Sequence, residues 1–131
     1  MKRLAFCLAL VAAPAVAAEG KAGGYRPAPL SITNGTDAPM ACRAVLAHWY
    51  LNEYGPAAPG AAVNIPLRYD SASGTVSILN SVGDEMAVER LVCGAAGAVW
   101  DSAGDVAYKA LAGAGSETLS CEKKAGGFSC R

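Results

Sequence analysis

The sequence predicts an all-β fold: a small disulfide-linked β-sandwich or open barrel of six to seven short strands. Three observations lead there. Apolar and polar residues alternate with period 2 in several short runs, among them Leu30 to Thr33, Val63 to Leu67 and Val76 to Ile78. Turn signals such as Asn34-Gly35, Gly55-Pro56, Asp70 to Gly74 and Gly83-Asp84 separate those runs. Four of the five cysteines lie beyond residue 40, an even number that suits two crosslinks in an exported chain.

The start of the chain reads as a secretory signal peptide over residues 1–18. Lys2 and Arg3 precede an unbroken apolar run from 4 to 13, and Ala15-Val16-Ala17 supplies a small-x-small cleavage pattern, with cleavage after Ala17 or Ala18. The run is shorter than the ~20 residues that span a bilayer. Cys7 follows Phe6, where lipoprotein processing wants a small residue, so the chain is not expected to be a lipoprotein. Loss of Lys2 and Arg3 leaves nine basic side chains against eleven acidic, a net charge near −2. No basic patch points to nucleic acid, and no second apolar run is long enough for a membrane span. A soluble periplasmic or secreted protein is expected.

Residues 19–28 are rich in Gly and Pro and are expected to form a flexible lead-in to a single β domain over 29–131. The first strand is expected around Leu30 and Ile32, ending at Asn34-Gly35. Asn34-Gly35-Thr36 also matches a glycosylation sequon, relevant only in a eukaryotic secretory path. Residues 39–54 are ambiguous. Period 2 places Cys42, Ala44, Leu46, His48 and Tyr50 on one strand face. Period 3.6 instead gives a helical stripe of Cys42, Val45, Leu46 and Trp49, capped by Asp37 and stopped by Gly55-Pro56. The hairpin signals around the segment favour the strand. A loop at 55–60 precedes a strand with Val63, Ile65 and Leu67 inward, in which Pro66 marks an edge or a bulge. The next strand turns Val76 and Ile78 inward. Residues 85–94 read as a strand with weak helical spacing through Val88, Leu91 and Val92, followed by a long Gly/Ala-rich loop around Trp100. Alternation through Val106, Tyr108 and Ala110 suggests one more strand, and a hairpin turning through Lys124 to Gly127 closes the chain.

That hairpin sets Cys121 opposite Cys130, at a separation that a disulfide spans. The remaining pair is Cys42–Cys93. A bridge with a nearby tryptophan, Trp49, is similar to the immunoglobulin-like arrangement. The similarity is architectural: the Cys-to-Trp spacing is short and no family motif accompanies it.

The candidate chemistry is thin. His48 is the only histidine. A general base needs an orienting partner and a zinc site needs further donors, yet no spacing ties Asp37, Glu53 or Glu89 to it. The ordinary reading is a histidine packed beside Trp49 or Tyr50. A copper(I) site built from His48, Met40 and Met86 is the weak metal candidate, because thioethers suit that ion. No Gly-x-Ser-x-Gly elbow is present, and Asp84, Glu85 and Glu89 sit at a turn as ordinary solvated acids. No cofactor and no catalytic residue are expected. Trp49 is assigned to the core, whereas Tyr54, Trp100 and Tyr25 are the surface aromatics offered to a partner. The chain therefore reads as a non-catalytic accessory or interaction module whose partner is another exported protein. A metal-handling protein is the first alternative, and a small enzyme inhibitor acting through loop 94–104 the second.

Overall fold

A computed structural model describes residues 24–131. The expected signal peptide, Cys7 and residues 19–23 lie outside the described residues. The chain is mostly β and forms two sheets that share one core. The fold is a sandwich and not a barrel.

The first sheet contains β1 (Tyr25–Pro27), β3 (Met40–Leu46), β4 (Leu51–Ala57), β6 (Arg68–Asp70), β7 (Thr75–Leu79), β8 (Glu85–Ala95) and β9 (Gly104–Asp105). Its strand order is β1-β6-β7-β8-β3-β4, with β9 pairing against the end of β8. The second sheet contains β2 (Leu30–Asn34), β5 (Ala62–Ile65), β10 (Glu117–Lys124) and β11 (Gly127–Cys130), in the order β11-β10-β2-β5. Every pairing is antiparallel except β2 with β10, which run parallel, Leu30 facing Glu117 and Asn34 facing Cys121.

Alternation puts the core where the sequence predicts it. Leu30 and Ile32, Val63 and Ile65, Val76 and Ile78 are all buried, as is Leu67. Met40, Cys42, Ala44 and Leu46 face the same core from β3, each large apolar side chain contributing ~1.5–3 kcal/mol by leaving water. Residues 39–54 are thus extended over Met40–Leu46, not helical. The β3 outer face carries Ala41 and Arg43, and Ala41 joins Val92 and Val99 in a second, small cluster.

The structure corrects four expectations. There are eleven strands rather than six or seven among the described residues. Pro66 is one cause: the chain leaves one sheet at Ile65 and enters the other at Arg68, so the single strand expected at 62–69 becomes β5 and β6. Residues 25–28, expected within a flexible lead-in, are built into the fold: β1 pairs with β6, Tyr25 facing Asp70, and Ala28 donates its N–H to the Leu67 carbonyl at 2.8 Å. Residues after Asp105 form a short helix, α1 (Tyr108–Ala114), in place of a strand. Ala and Leu favour the helix, and the Tyr108 hydroxyl anchors it by donating to the Val88 carbonyl at 2.9 Å. Finally, the bridges are not the inter-sheet staple of an immunoglobulin domain. Cys42–Cys93 joins neighbours β3 and β8, and Cys121–Cys130 joins neighbours β10 and β11, each across directly facing residues with Cα atoms 4.0 Å apart.

Asn34 ties β2 to the β3 and β4 region. It is fully buried, and its side-chain amide donates to the carbonyls of Ala38 and Ala57 at 2.7 and 3.0 Å. Its carbonyl oxygen accepts from the N–H and hydroxyl of Thr36 at 2.9 and 2.6 Å. Both amide hydrogens are engaged, so the sequon reading has no accessible acceptor nitrogen in the folded chain.

Candidate interaction surface at the Trp49 turn

Strands β3 and β4 meet at a tight turn. Val45 and Leu51 are the last paired residues, and Leu46 donates its N–H to the Tyr50 carbonyl at 2.8 Å. The intervening Ala47–Trp49 form a single 3₁₀ turn in which His48 (φ 63°, ψ 30°) and Trp49 (φ 68°) are both left-handed. A side chain in that region costs roughly 1–2 kcal/mol, and glycine or asparagine is the usual occupant. Here the positions carry an imidazole and an indole.

The indole is not buried. Trp49 is 97% exposed, which corrects its assignment to the core; Tyr50 and Leu51 beside it are exposed as well. Across a groove of about 630 Å³ stand Leu79 and Val82, also exposed. Asn80 builds that far wall: its side-chain oxygen accepts from the N–H groups of Val82 and Asp84 at 3.0 and 2.9 Å, closing a turn that lifts Val82 into solvent. Leu46 and Met86 line the groove with Asn52, and among the described residues no carboxylate, lysine or arginine lines it. The groove is part apolar and part polar, through His48, Asn52, Asn80 and Ser81. The indole protrudes beside it, between the lining residues His48 and Tyr50, without lining it. The exposed indole and the apolar side chains can bind apolar surface.

His48 and Met86 share this groove, but Met40 does not. Met40 is fully buried at the opposite end of β3, facing Ala57 and Ala95, so the three residues of the expected copper site are not brought together. Two of the three expected acidic neighbours of His48 are placed elsewhere, while Glu89 stands on β8 at the register shift opposite Val45 and Leu46. Asp37 precedes the far end of β3, and Glu53 binds Arg43 at 3.2 Å. Three sulfurs do converge, those of Cys93, Cys121 and Cys130, but all are spent in disulfides and none is a thiolate free to ligate.

The three aromatics offered to a partner fare differently. Tyr54 lies within β4, not in a loop; it is half-buried against the core and its hydroxyl accepts from the Asn52 amide at 3.3 Å. Tyr25 is half-buried in β1. Trp100 is partly exposed on the outer face of the first sheet, where the guanidinium groups of Arg43 and Arg90 lie 5.7 and 5.8 Å from its ring. Arg90 also binds Asp105 at 2.9 Å, and that hydrogen bond, with the charge behind it, raises the arginine's already high pKa. The loop expected to protrude at 94–104 is folded back on its own sheet. Val99 is buried, and the Ser102 hydroxyl accepts from Ala95 N–H and donates to the Ala98 carbonyl.

Sequence reasoning missed the Trp49 turn because it lacks Gly, Asn or Pro. The one available signal was the failure of alternation at Trp49-Tyr50-Leu51, three consecutive large apolar residues. Among the described residues, no helix is long and apolar enough to cross a membrane. Compared with protein-family models, with characterised proteins and with solved structures, the chain finds no match.

Proposed function

We propose that the chain is an exported, non-catalytic interaction module that docks another exported protein through the Trp49 turn. One observation carries the reading: two successive left-handed residues present an indole that is 97% exposed. Local strain that no packing repays is a mark of a functional segment. A tryptophan ring seated in a partner's pocket would bury 150 Å² or more, on the order of 2 kcal/mol or above. The two disulfides suit an oxidising compartment, in keeping with the signal peptide read from the sequence.

The test is retention of protein from a periplasmic extract on the immobilised mature chain. Wild type and Trp100→Ala are expected to retain the same dominant protein, and Trp49→Ala to lose it. Retention by Trp49→Ala, or equal loss in both variants, counts against this surface.

A metal-handling role is the second reading, supported by His48 and Met86 lining one groove. Copper(I) titration separates it from the first: tight binding that His48→Ala abolishes favours metal, and weak binding unchanged in His48→Ala removes that role.

A further inference from the structure

The two disulfides abut. The Cys93 sulfur lies within 4.8 Å of the sulfurs of both Cys121 and Cys130, although Cys93 is bonded to Cys42 in one sheet and the other two are bonded to each other in the second. The topology explains the approach. Cys93 faces Gly104 of β9 in register, and Cys130 faces Cys121. Gly104 in turn touches the backbone of Phe128 in β11, so closely that a Cβ there would overlap the Phe128 carbonyl. The Phe128 N–H donates to the Ser102 carbonyl at 2.9 Å, sealing the two sheets along this side. Cys42, Cys93 and Cys121 are fully buried. Cys130 is half-buried, on edge strand β11.

We infer that the paired bridges form a disulfide-exchange relay, entered at Cys130 by an external thiol. The attacking thiolate forms a bond to the Cys130 sulfur, and the Cys121–Cys130 bond breaks with its electron pair leaving on Cys121. The Cys121 thiolate then attacks Cys93, the Cys42–Cys93 bond breaks, and Cys42 leaves as a thiolate that takes the proton given up by the external thiol. Two disulfides and one thiol enter; two disulfides and one thiol result. The product crosslinks the sheets through Cys93–Cys121, holds the external thiol on Cys130 and frees Cys42. The relay thus turns two staples within sheets into one staple between them. Burial disfavours the Cys121 thiolate, so the exchange runs over minutes to hours.

The experiment incubates the folded, oxidised protein with reduced glutathione, quenches with acid, alkylates free thiols, and maps disulfides by mass spectrometry without reduction. The relay predicts a peptide containing Cys93 joined to one containing Cys121, an alkylated Cys42, and glutathione on Cys130. An intact Cys42–Cys93 bridge with modification confined to Cys121 and Cys130 overturns it. The same spread of pairings as in guanidinium also overturns it, because exchange would then proceed through unfolding. A second arm needs no reagent. In Cys130→Ser the thiol starts at Cys121 beside the intact bridge, and label is expected to appear on Cys42 as Cys93–Cys121 forms; label found only on Cys121 contradicts the relay.

Discussion

His48 and Trp49 occupy the left-handed backbone region in succession, at φ 63° and 68°. The Trp49 ring gains nothing from the fold in return, being 97% exposed. Glycine at position 49 removes the left-handed penalty but adds unfolded-state freedom, so the two effects partly cancel. Trp49→Gly is therefore expected to match wild type or exceed it by up to about 1 kcal/mol in urea denaturation, while losing partner retention. A destabilisation above about 1 kcal/mol would mean that the indole packs in solution.

Asn34 offers the opposite case, a polar side chain whose loss the fold cannot absorb. Its amide donates to two carbonyls and its oxygen accepts twice; the bond to Ala57 is buried and the other three are partly so. Asn34→Ala strands the Ala57 carbonyl in the interior and is expected to lose about 3 kcal/mol, from several hydrogen bonds at ~1 kcal/mol each. Asn34→Asp should cost more, because a carboxylate would face the Ala38 and Ala57 carbonyls without a proton to donate. Urea midpoints order the three proteins; an aspartate variant as stable as wild type would show that the pocket admits water.

How much of this was legible depended on whether a local rule decided each element. The closing hairpin was, since Glu122↔Ser129 and Lys123↔Phe128 pairing fixes Cys121 opposite Cys130. The paired faces of β2, β5 and β7 followed from alternation alone. β8 blurred because its register slips between Val45 and Leu46, leaving Glu89 without a partner on β3, so that Val88 and Leu91 share a face at an odd spacing that imitates a helix. The start of α1 imitated a strand, since Val106 and Tyr108 are both buried before the helix takes over. The Trp49 turn was hidden because a strained turn uses residues that turn rules exclude. The groove joins residues 46 to 52 with residues 79 to 86, a proximity set by the β7-β8-β3 order and by no spacing along the chain.

Tyr108 gives the fold a dependence on alkaline pH. Burial first, and the negative charge of Glu89 second, raise its phenol above the ordinary tyrosine value of ~10. A raised value in the folded state means that folding favours the protonated form. That stability is complete below the unfolded value and is lost as pH rises through the folded one. Tyr108→Phe removes the bond to the Val88 carbonyl, so it should be about 1 kcal/mol less stable than wild type at neutral pH. The gap is expected to close above pH ~10. A gap that stays constant across that range would show that Tyr108 does not titrate with unfolding.

The two bridges close loops of very different length, 51 residues apart for Cys42–Cys93 and 9 for Cys121–Cys130. If each acts mainly by restricting the unfolded chain, the first stabilises by about 4 kcal/mol and the second by about 2.5. Both join directly facing residues of adjacent strands, so the comparison is made in like settings. Replacing each pair by alanines, with the other bridge intact, is therefore expected to cost about 1.5 kcal/mol more at β3–β8 than at β10–β11 in urea denaturation. Burial acts in the same direction, because Cys42 and Cys93 are both fully enclosed whereas Cys130 is half-exposed. Equal losses would place the stabilisation in the contact between the two bridges, which either double variant removes, and not in the closure of loops.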